Sequence, residues 1–422
     1  MKLGEGKEFP SKYQMNYKKE NINRIVEYFK EGCKEELMPL TMGLELEHFV
    51  VDKETKNSVS YYGERGIEAL LERLKPLYEE FAYSEGHIIG LGRENLAVSI
   101  EPAGQLEISI SPQEDGRRIQ RIYDQFYEEI MPILLEWGYK LITSGYQPKS
   151  KAAELDLIPK SRYRFMKEYF DQFGPYGQYM MKGTAATQVS IDYYSEEDFS
   201  AKYKIAYALY PVFAELCDNI VCFEGKENKE PLMRMTIWDH VDNARVNVEP
   251  YLKNGTLDFK RYAEFVYETP LIVNKNKDGD YATGQSASEV YKSKIMTSQE
   301  IEHVLSMVFP ILRLKHYLEI RVADSMPMGS VNAYLLLIKG LFKDITTVTK
   351  YVDELIMGHP NWSRELLNVI RRDGIKGQIT DTTVRDIVID LYGMAISNLE
   401  ENEVRYLEEY KKNIIENGSL LL

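Results

Sequence analysis

Four stretches of this chain alternate apolar and polar residues with a period of two, and each sets carboxylates or residues that hydrogen-bond like them on its polar side. That period belongs to a strand, whose successive side chains point to opposite faces. From Met42 to Val51, Met42, Leu44, Leu46 and Val50 fall on one side, and Gly43, Glu45, Glu47 and Phe49 on the other. Leu96 to Ser111 holds two short alternating runs around Pro102-Ala103-Gly104, a composition that turns a chain sharply. The segment reads as a hairpin whose turn is bracketed by Glu101 and Glu107. In Ala186 to Asp192, Val189 and Ile191 oppose Gln188, Ser190 and Asp192; in Tyr317 to Ala323, Leu318, Ile320 and Val322 oppose Glu319 and Arg321. An antiparallel sheet with one greasy face and one polar face accounts for all four.

Helical spacing fills much of the rest. Ile22, Ile25, Val26 and Phe29 recur on one helix face, as do Ile67, Leu70, Leu71 and Leu74. Helices are also expected over Gly116 to Trp137, Glu196 to Asn219, Phe259 to Tyr267 and Gln299 to Leu312, and the stretch after Gly329 reads as mostly helix. Gly90-Leu-Gly92 lacks the further glycine and lysine of a phosphate-binding loop and reads as a turn. The class is α+β, with helices packed under the greasy face of the sheet. No internal repeat or Gly/Ser/Pro linker divides the chain. Residues 1–422 are therefore expected to form one catalytic domain, with a sheet-and-site core over about 40–330 and a mostly helical portion over about 331–422.

The formal charge of −14 argues against nucleic acid and acidic membranes as partners, because phosphate contacts need a surplus of Lys and Arg. No apolar run reaches the length a bilayer needs, and Met1 to Tyr17 is charged and polar rather than a signal peptide. A cytoplasmic protein is expected. Cys33, Cys217 and Cys222 are too scattered for a disulfide framework or a metal motif and read as ordinary thiols.

Carboxylates gathered on one face repel one another and welcome a cation. Glu45 and Glu47 lie roughly 7 Å apart on their shared side. Alone, a Glu-x-Glu pair is usually a solvated edge. Here Glu101, Glu107 and Glu319 join it, and Gln188 supplies a neutral oxygen. An all-oxygen set suits Mg²⁺ or Mn²⁺ rather than zinc, since no cysteine pair or paired-histidine motif accompanies it. His48 shares the side of Leu46 and Val50 and is expected to be packed; Trp238 is expected in the core.

The runs Gly43-Leu-Glu-Leu-Glu47, Ile100-Glu-Pro-Ala-Gly-Gln-Leu-Glu107, Thr187-Gln-Val-Ser-Ile-Asp192 and Tyr317-Leu-Glu-Ile-Arg-Val-Ala-Asp324 resemble the successive motifs of glutamate–cysteine ligases, especially the plant and proteobacterial branch. Ile158-Pro-Lys-Ser-Arg-Tyr163, Arg234 and Ile237-Trp-Asp-His-Val-Asp-Asn-Ala-Arg245 are further matches. The resemblance implies a glutamine synthetase-like catalytic fold, in which a curved antiparallel sheet with helices on its outer face holds metal ions between ATP and glutamate. On that analogy Glu45, Glu47, Glu101, Glu107, Gln188 and Glu319 are metal-site residues, while Arg321, Arg234 and Arg245 face phosphate or the glutamate carboxylates. Arg321, Glu319 and Arg245 are then the catalytic candidates. The implied substrates are L-glutamate, L-cysteine and ATP, with Mg²⁺ as cofactor, in a monomer or homodimer that carries out the first step of glutathione-type thiol synthesis. Ala103, Ser190 and Val322 depart from the family pattern beside the proposed second-substrate region, so they bear on the amine acceptor rather than on ATP use.

A carboxylate oxygen is a poor leaving group, so amide formation calls for ATP to convert the γ-carboxylate into an acyl phosphate before the amine attacks. The same residues also suit a carboxylate–amine ligase with another acceptor, a guanidino-kinase-like phosphotransferase, or a non-catalytic binding protein that has kept the fold.

Overall fold

The computed structural model describes residues 16–422 apart from 254, 277 and 278. Its centre is a nine-stranded sheet built from β1 (Met42–Asp52), β2 (Glu80–Ser84), β3 (His87–Arg93), β4 (Leu96–Ile100), β5 (Leu106–Gln113), β6 (Tyr139–Ile142), β7 (Ala186–Ile191), β8 (Leu312–Leu314) and β9 (Leu318–Asp324). The order is β8-β9-β7-β1-β5-β4-β3-β2, with β6 beside the far end of β1, and every pairing is antiparallel. All four alternating stretches are strands, as their period requires.

Register carries each side chain to its face. Leu44 lies opposite Ile110 on β5 and Val189 on β7, and Leu46 opposite Ile108, which in turn faces Val98 on β4. These residues are buried. The Ile67–Leu74 helix packs on β3, the Gly116–Trp137 helix on β5 and β6, and the Glu196–Leu216 helix on β9. The C-terminal helices Met328–Lys343, Ile345–Ile356, Trp362–Asp373, Val384–Ser397 and Glu401–Asn417 add a second layer, chiefly over Glu196–Leu216 and Gly116–Trp137. One continuous buried cluster runs from Ile22 to Leu420. No helix among the described residues is long and apolar enough to cross a membrane.

Two expectations need correction. The helix expected over Gln299 to Leu312 spans only Ser298–Leu305, and Leu312 instead opens β8. Pro310 has no N–H to continue a helix and drives Phe309 toward extended backbone. Gly90-Leu-Gly92 is no turn but the middle of β3. A Cβ on Gly90 would sit 3.1 Å from the Val98 carbonyl oxygen, and one on Gly92 would sit 3.1 Å from Glu80 Oε2, so these glycines serve close approach of neighbouring strands. The reversal lies at Glu85-Gly86, both with positive φ. Of the charged N-terminal stretch, residues 1–15 lie outside the described ones. Cys217 is buried and Cys33 and Cys222 are half-buried, all as free thiols.

The two faces of β1 predict opposite mutational behaviour. Leu46→Ala is expected to cost about 2–5 kcal/mol in denaturant unfolding, because its fully buried site cannot collapse around the lost atoms. Glu45→Gln, one residue away on the other face, is expected to leave the metal-free stability unchanged or raised.

Candidate active site

The polar face assembles by the same register. Glu45 stands directly opposite Gln188 on β7 and Ser109 on β5, Glu47 opposite Glu107, and Glu107 opposite Ser99 on β4. Glu319 of β9 faces Ser190, which faces Gly43. Glycine is needed there: a Cβ on residue 43 would lie 2.4 Å from Ser190 Oγ. Glu101 hangs from the β4–β5 turn, where Gly104 takes φ +89° and donates its N–H to the Glu101 carbonyl at 3.0 Å.

Hydrogen bonds tie this face together from edge to edge. Arg313 on β8 grips Glu319 with two donors, Nε to Oε2 at 2.7 Å and Nη2 to Oε1 at 3.2 Å. Arg321 Nη1 donates to Glu319 Oε2 at 2.7 Å and also to Gln188 Oε1. Gln188 Nε2 then donates to Glu47 Oε1 at 3.1 Å, and Glu47 Oε2 accepts the Ala186 N–H at 2.8 Å. On the far side Ser99 Oγ donates to Glu107 at 2.7 Å, and the Tyr163 hydroxyl to Glu101 at 3.4 Å. Lys160 lies over the Tyr163 ring, 4.6 Å from its centroid.

Charge on the face is unevenly compensated. Burial and the neighbouring carboxylates Glu319 and Glu107 push Glu45 up to about 7. Burial and Glu101 push Glu107 up to about 7, and burial likewise raises Glu47 and Glu101. Glu319 goes the other way: burial opposes ionisation, but Arg313, Arg321 and Lys315 hold its carboxyl far below the usual range. One end of the face is thus an arginine-clamped anion, and the other is a group of carboxylates short of positive charge. Among the described residues no three carboxylate, histidine or cysteine side chains converge on a single point as a ready ligand set.

The three arginines singled out from the sequence part company. Arg321 belongs to the face. Arg234, almost fully buried, turns its guanidinium to backbone, donating from Nη1 to the Val322 carbonyl at 2.9 Å and from Nη2 to the Arg321 carbonyl at 3.0 Å. Those carbonyls lie at the β-bulge between Ile320 and Ala323, so Arg234 fixes the backbone from which Arg321 projects. Arg245 is fully buried and occupied: Nε pairs with Asp242 at 2.6 Å, Nη1 with the Met307 carbonyl at 2.7 Å and Nη2 with the Pro270 carbonyl at 3.0 Å, with Tyr169 stacked at 4.7 Å. Instead of facing substrate, Arg245 ties three chain segments together. His48 is packed as expected, between the Leu106 carbonyl and the Tyr123 hydroxyl, each 3.2 Å away. Trp238 is half-buried against Phe309 rather than in the core.

The profile of glutamate–cysteine ligase family 2 matches residues 41–421. The chain belongs to that family. Chloroplastic glutamate–cysteine ligase A of rice (Oryza sativa subsp. japonica) is 29% identical over 404 residues, covering 91% of this chain and 80% of its own. The chloroplastic glutamate–cysteine ligase of Arabidopsis thaliana is 28% identical over 389 residues, covering 89% and 73%. A solved glutamate–cysteine ligase from Francisella tularensis, in complex with AMP, superposes with a TM-score of 0.57 at 9% identity, over 91% of this chain and 83% of that one. The glutamine synthetase-like fold, the family and the glutamate–cysteine ligase assignment expected from the motifs are borne out. The cytoplasmic expectation is overturned, because the plant relatives are chloroplastic. A polar chain without a long apolar run suits any aqueous compartment, and composition does not choose among them.

In this family member, sequence reasoning passed over Arg313, Lys160, Arg162 and Tyr163 as site residues. Arg162 is anchored to Ser306, through Oγ at 2.9 Å and the carbonyl at 2.6 Å, close enough to Glu101 to interact with its charge. The available signal was the Ile158–Tyr163 motif, whose two cations and tyrosine sit one or two residues apart beside the acidic turn.

Two expectations follow for the ligase. Because the four raised carboxyls keep protons in the folded state that the unfolded chain has released, metal-free stability falls as pH rises from about 4.5 through about 7. Glu319, held low, acts only at more acid pH and leaves this window unchanged. Differential scanning fluorimetry in EDTA should register a drop in Tm on the order of 5 °C across it. Arg245→Met is expected to cost about 3–5 kcal/mol by stranding Asp242, while the folded fraction keeps its KM for every substrate; a selective rise in one KM would instead make Arg245 a substrate contact.

Proposed function

We propose that this ligase joins L-glutamate to L-cysteine with ATP through a γ-glutamyl phosphate, on the polar face of the sheet, with Mg²⁺ held by Glu45, Glu47, Glu101, Glu107, Gln188 and Glu319. The observation that carries this reading is the shortage of positive charge around four half-buried carboxylates from two adjoining strands and one turn, next to a fixed pair of guanidinium groups. The donor set is entirely oxygen, which suits a hard divalent ion. Mg²⁺ there supplies neutralisation of the phosphate charge of ATP.

The chain's own groups do the positioning. Arg321 presents a planar fork toward the transferring phosphoryl group or the glutamate carboxylate, and it is oriented from both ends, by Glu319 and Gln188 on the side chain and by Arg234 on the backbone. Lys160 and Arg162, on the far side of the acidic turn, place further positive charge opposite Arg321. The Ser161–Phe170 helix sets Tyr163 against Glu101, a position from which its ring would limit the entry of water to the acyl phosphate.

A second acceptor remains in view because Ser190 stands between Gly43 and Glu319, where the family pattern has asparagine. ADP release with glutamate and a panel of amines, with product masses, separates the readings. Cysteine is expected to stimulate turnover and give γ-glutamylcysteine; silence with cysteine alongside stimulation by another amine would replace the acceptor. Glu45→Gln and Glu319→Gln are each expected to lower kcat by about 100-fold or more with the fold intact. MgCl₂ should raise the Tm of the wild type more at pH 8 than at pH 5.5, and an equal effect at both would remove the metal from these carboxylates.

A further inference from the structure

Strand register fixes Glu45, Glu47 and Glu107 on the polar face, but it does not fix Glu101. The pairing of β4 with β5 ends at Ile100 opposite Leu106, so Glu101 hangs from the turn, and its place depends on what holds the turn. Yet Glu101 is the carboxylate whose charge acts most on Glu47. Something other than strand pairing sets that approach.

Gln105 does the holding. Its backbone carbonyl accepts the Glu101 N–H at 2.9 Å, and its side-chain Oε1 accepts the Ala103 N–H at 2.9 Å, which closes the turn from inside. Its Nε2 reaches the other way and donates to the Met181 carbonyl at 3.3 Å and the Thr184 carbonyl at 3.2 Å. Those carbonyls belong to a π-helical turn, Tyr179–Gly183, closed by the Thr184 N–H on the Tyr179 carbonyl at 3.1 Å. Single π turns are rare and recur at functional sites, and here no further helical turn follows to take up the last carbonyls. Two residues past Thr184, Ala186 opens β7 and gives its N–H to Glu47 Oε2 at 2.8 Å. One amide thus spans from the turn of Glu101 to the strand end that holds Glu47. Gln105 is 3% exposed, so it acts through these neighbours rather than on a substrate. The π turn is anchored elsewhere as well: a Cβ on Gly183 would meet the Tyr146 ring at 2.3 Å, and buried Lys182 donates to the Leu155 carbonyl at 2.8 Å.

We propose that Gln105 is a positioning residue of the ligase, setting the separation of Glu101 from Glu47 through the Tyr179–Gly183 turn. The inference rests on the reading of these carboxylates as metal-site residues. Without the amide, repulsion between the two carboxylates moves the turn away from Glu47, and a hard divalent ion tolerates little change in the spacing of its oxygens.

The test measures free Mn²⁺ by electron paramagnetic resonance as the full-length enzyme is titrated, a readout that needs no turnover. The wild type should bind Mn²⁺ saturably. Gln105→Met, which keeps the length of the side chain but not its amide, and Gln105→Ala, which leaves room for water at the stranded carbonyls, should each bind it about ten-fold or more weakly. Lys182→Met loosens the same π turn at its Leu155 end and controls for general loosening: its Mn²⁺ affinity should stay that of the wild type even where its Tm falls. In the ligase assay the Mg²⁺ concentration for half-maximal rate should rise in parallel for the Gln105 variants, with the KM for glutamate unchanged at saturating Mg²⁺. Wild-type Mn²⁺ affinity in a folded Gln105 variant, or equal weakening by Lys182→Met, would overturn the role given to Gln105 and leave the metal reading standing. Absence of Mn²⁺ binding by the wild type would remove both.

Discussion

The sheet has to satisfy two demands on the same strand: β1 buries Leu44 and Leu46 on one side and holds Glu45 and Glu47, half-buried, on the other. Burial of the first face is what forces the carboxylates of the second into a fixed lattice, because a slip of one residue would turn every leucine to the polar side. Like charges are therefore held together by hydrophobic packing that does not touch them. Their mutual repulsion is stored in the fold and is relieved only by protons or by cations.

The positive groups are distributed to match. Arg313 and Arg321 neutralise one end of the face through Glu319, and Gln188 carries the hydrogen-bond chain on to Glu47. Nothing comparable crosses to Glu45, which no side chain bonds among the contacts described. A buried ion cluster of this kind contributes little net stability, since desolvation offsets much of the attraction. What it supplies is direction: Arg321 cannot rotate freely while three groups hold it.

Much of this was legible because period-two alternation is local. Glu45, Glu47, Glu107, Gln188 and Glu319 could be assigned to one face before any contact was known, since each is an even number of residues from its neighbours on that face. Arg313 was hidden by the brevity of β8, three residues that alternate no longer than chance and follow a proline. Arg245 was misread for another reason. Its motif displays the charge, but the partner Asp242 stands three residues earlier, at the spacing that brings two side chains together on a helical turn, and that pairing removes the guanidinium from circulation. Long-range partners such as the Met307 and Pro270 carbonyls have no local signature at all.

The short β8 also bears on solubility. A nine-stranded sheet has two open margins, and an open margin is a template for another chain. On one margin β8 ends after three residues, and beyond it two carbonyls of β9 are covered by the Arg234 guanidinium instead of a strand. On the other, β2 is interrupted by a bulge between Ala82 and Tyr83, and Lys75 lies over the exposed rings of Phe81 and Tyr83 at 5.4 and 5.6 Å. Each margin thus meets an incoming strand with a cation and a broken ladder, so the same residue that steadies the backbone of Arg321 also guards the sheet against edge-to-edge association.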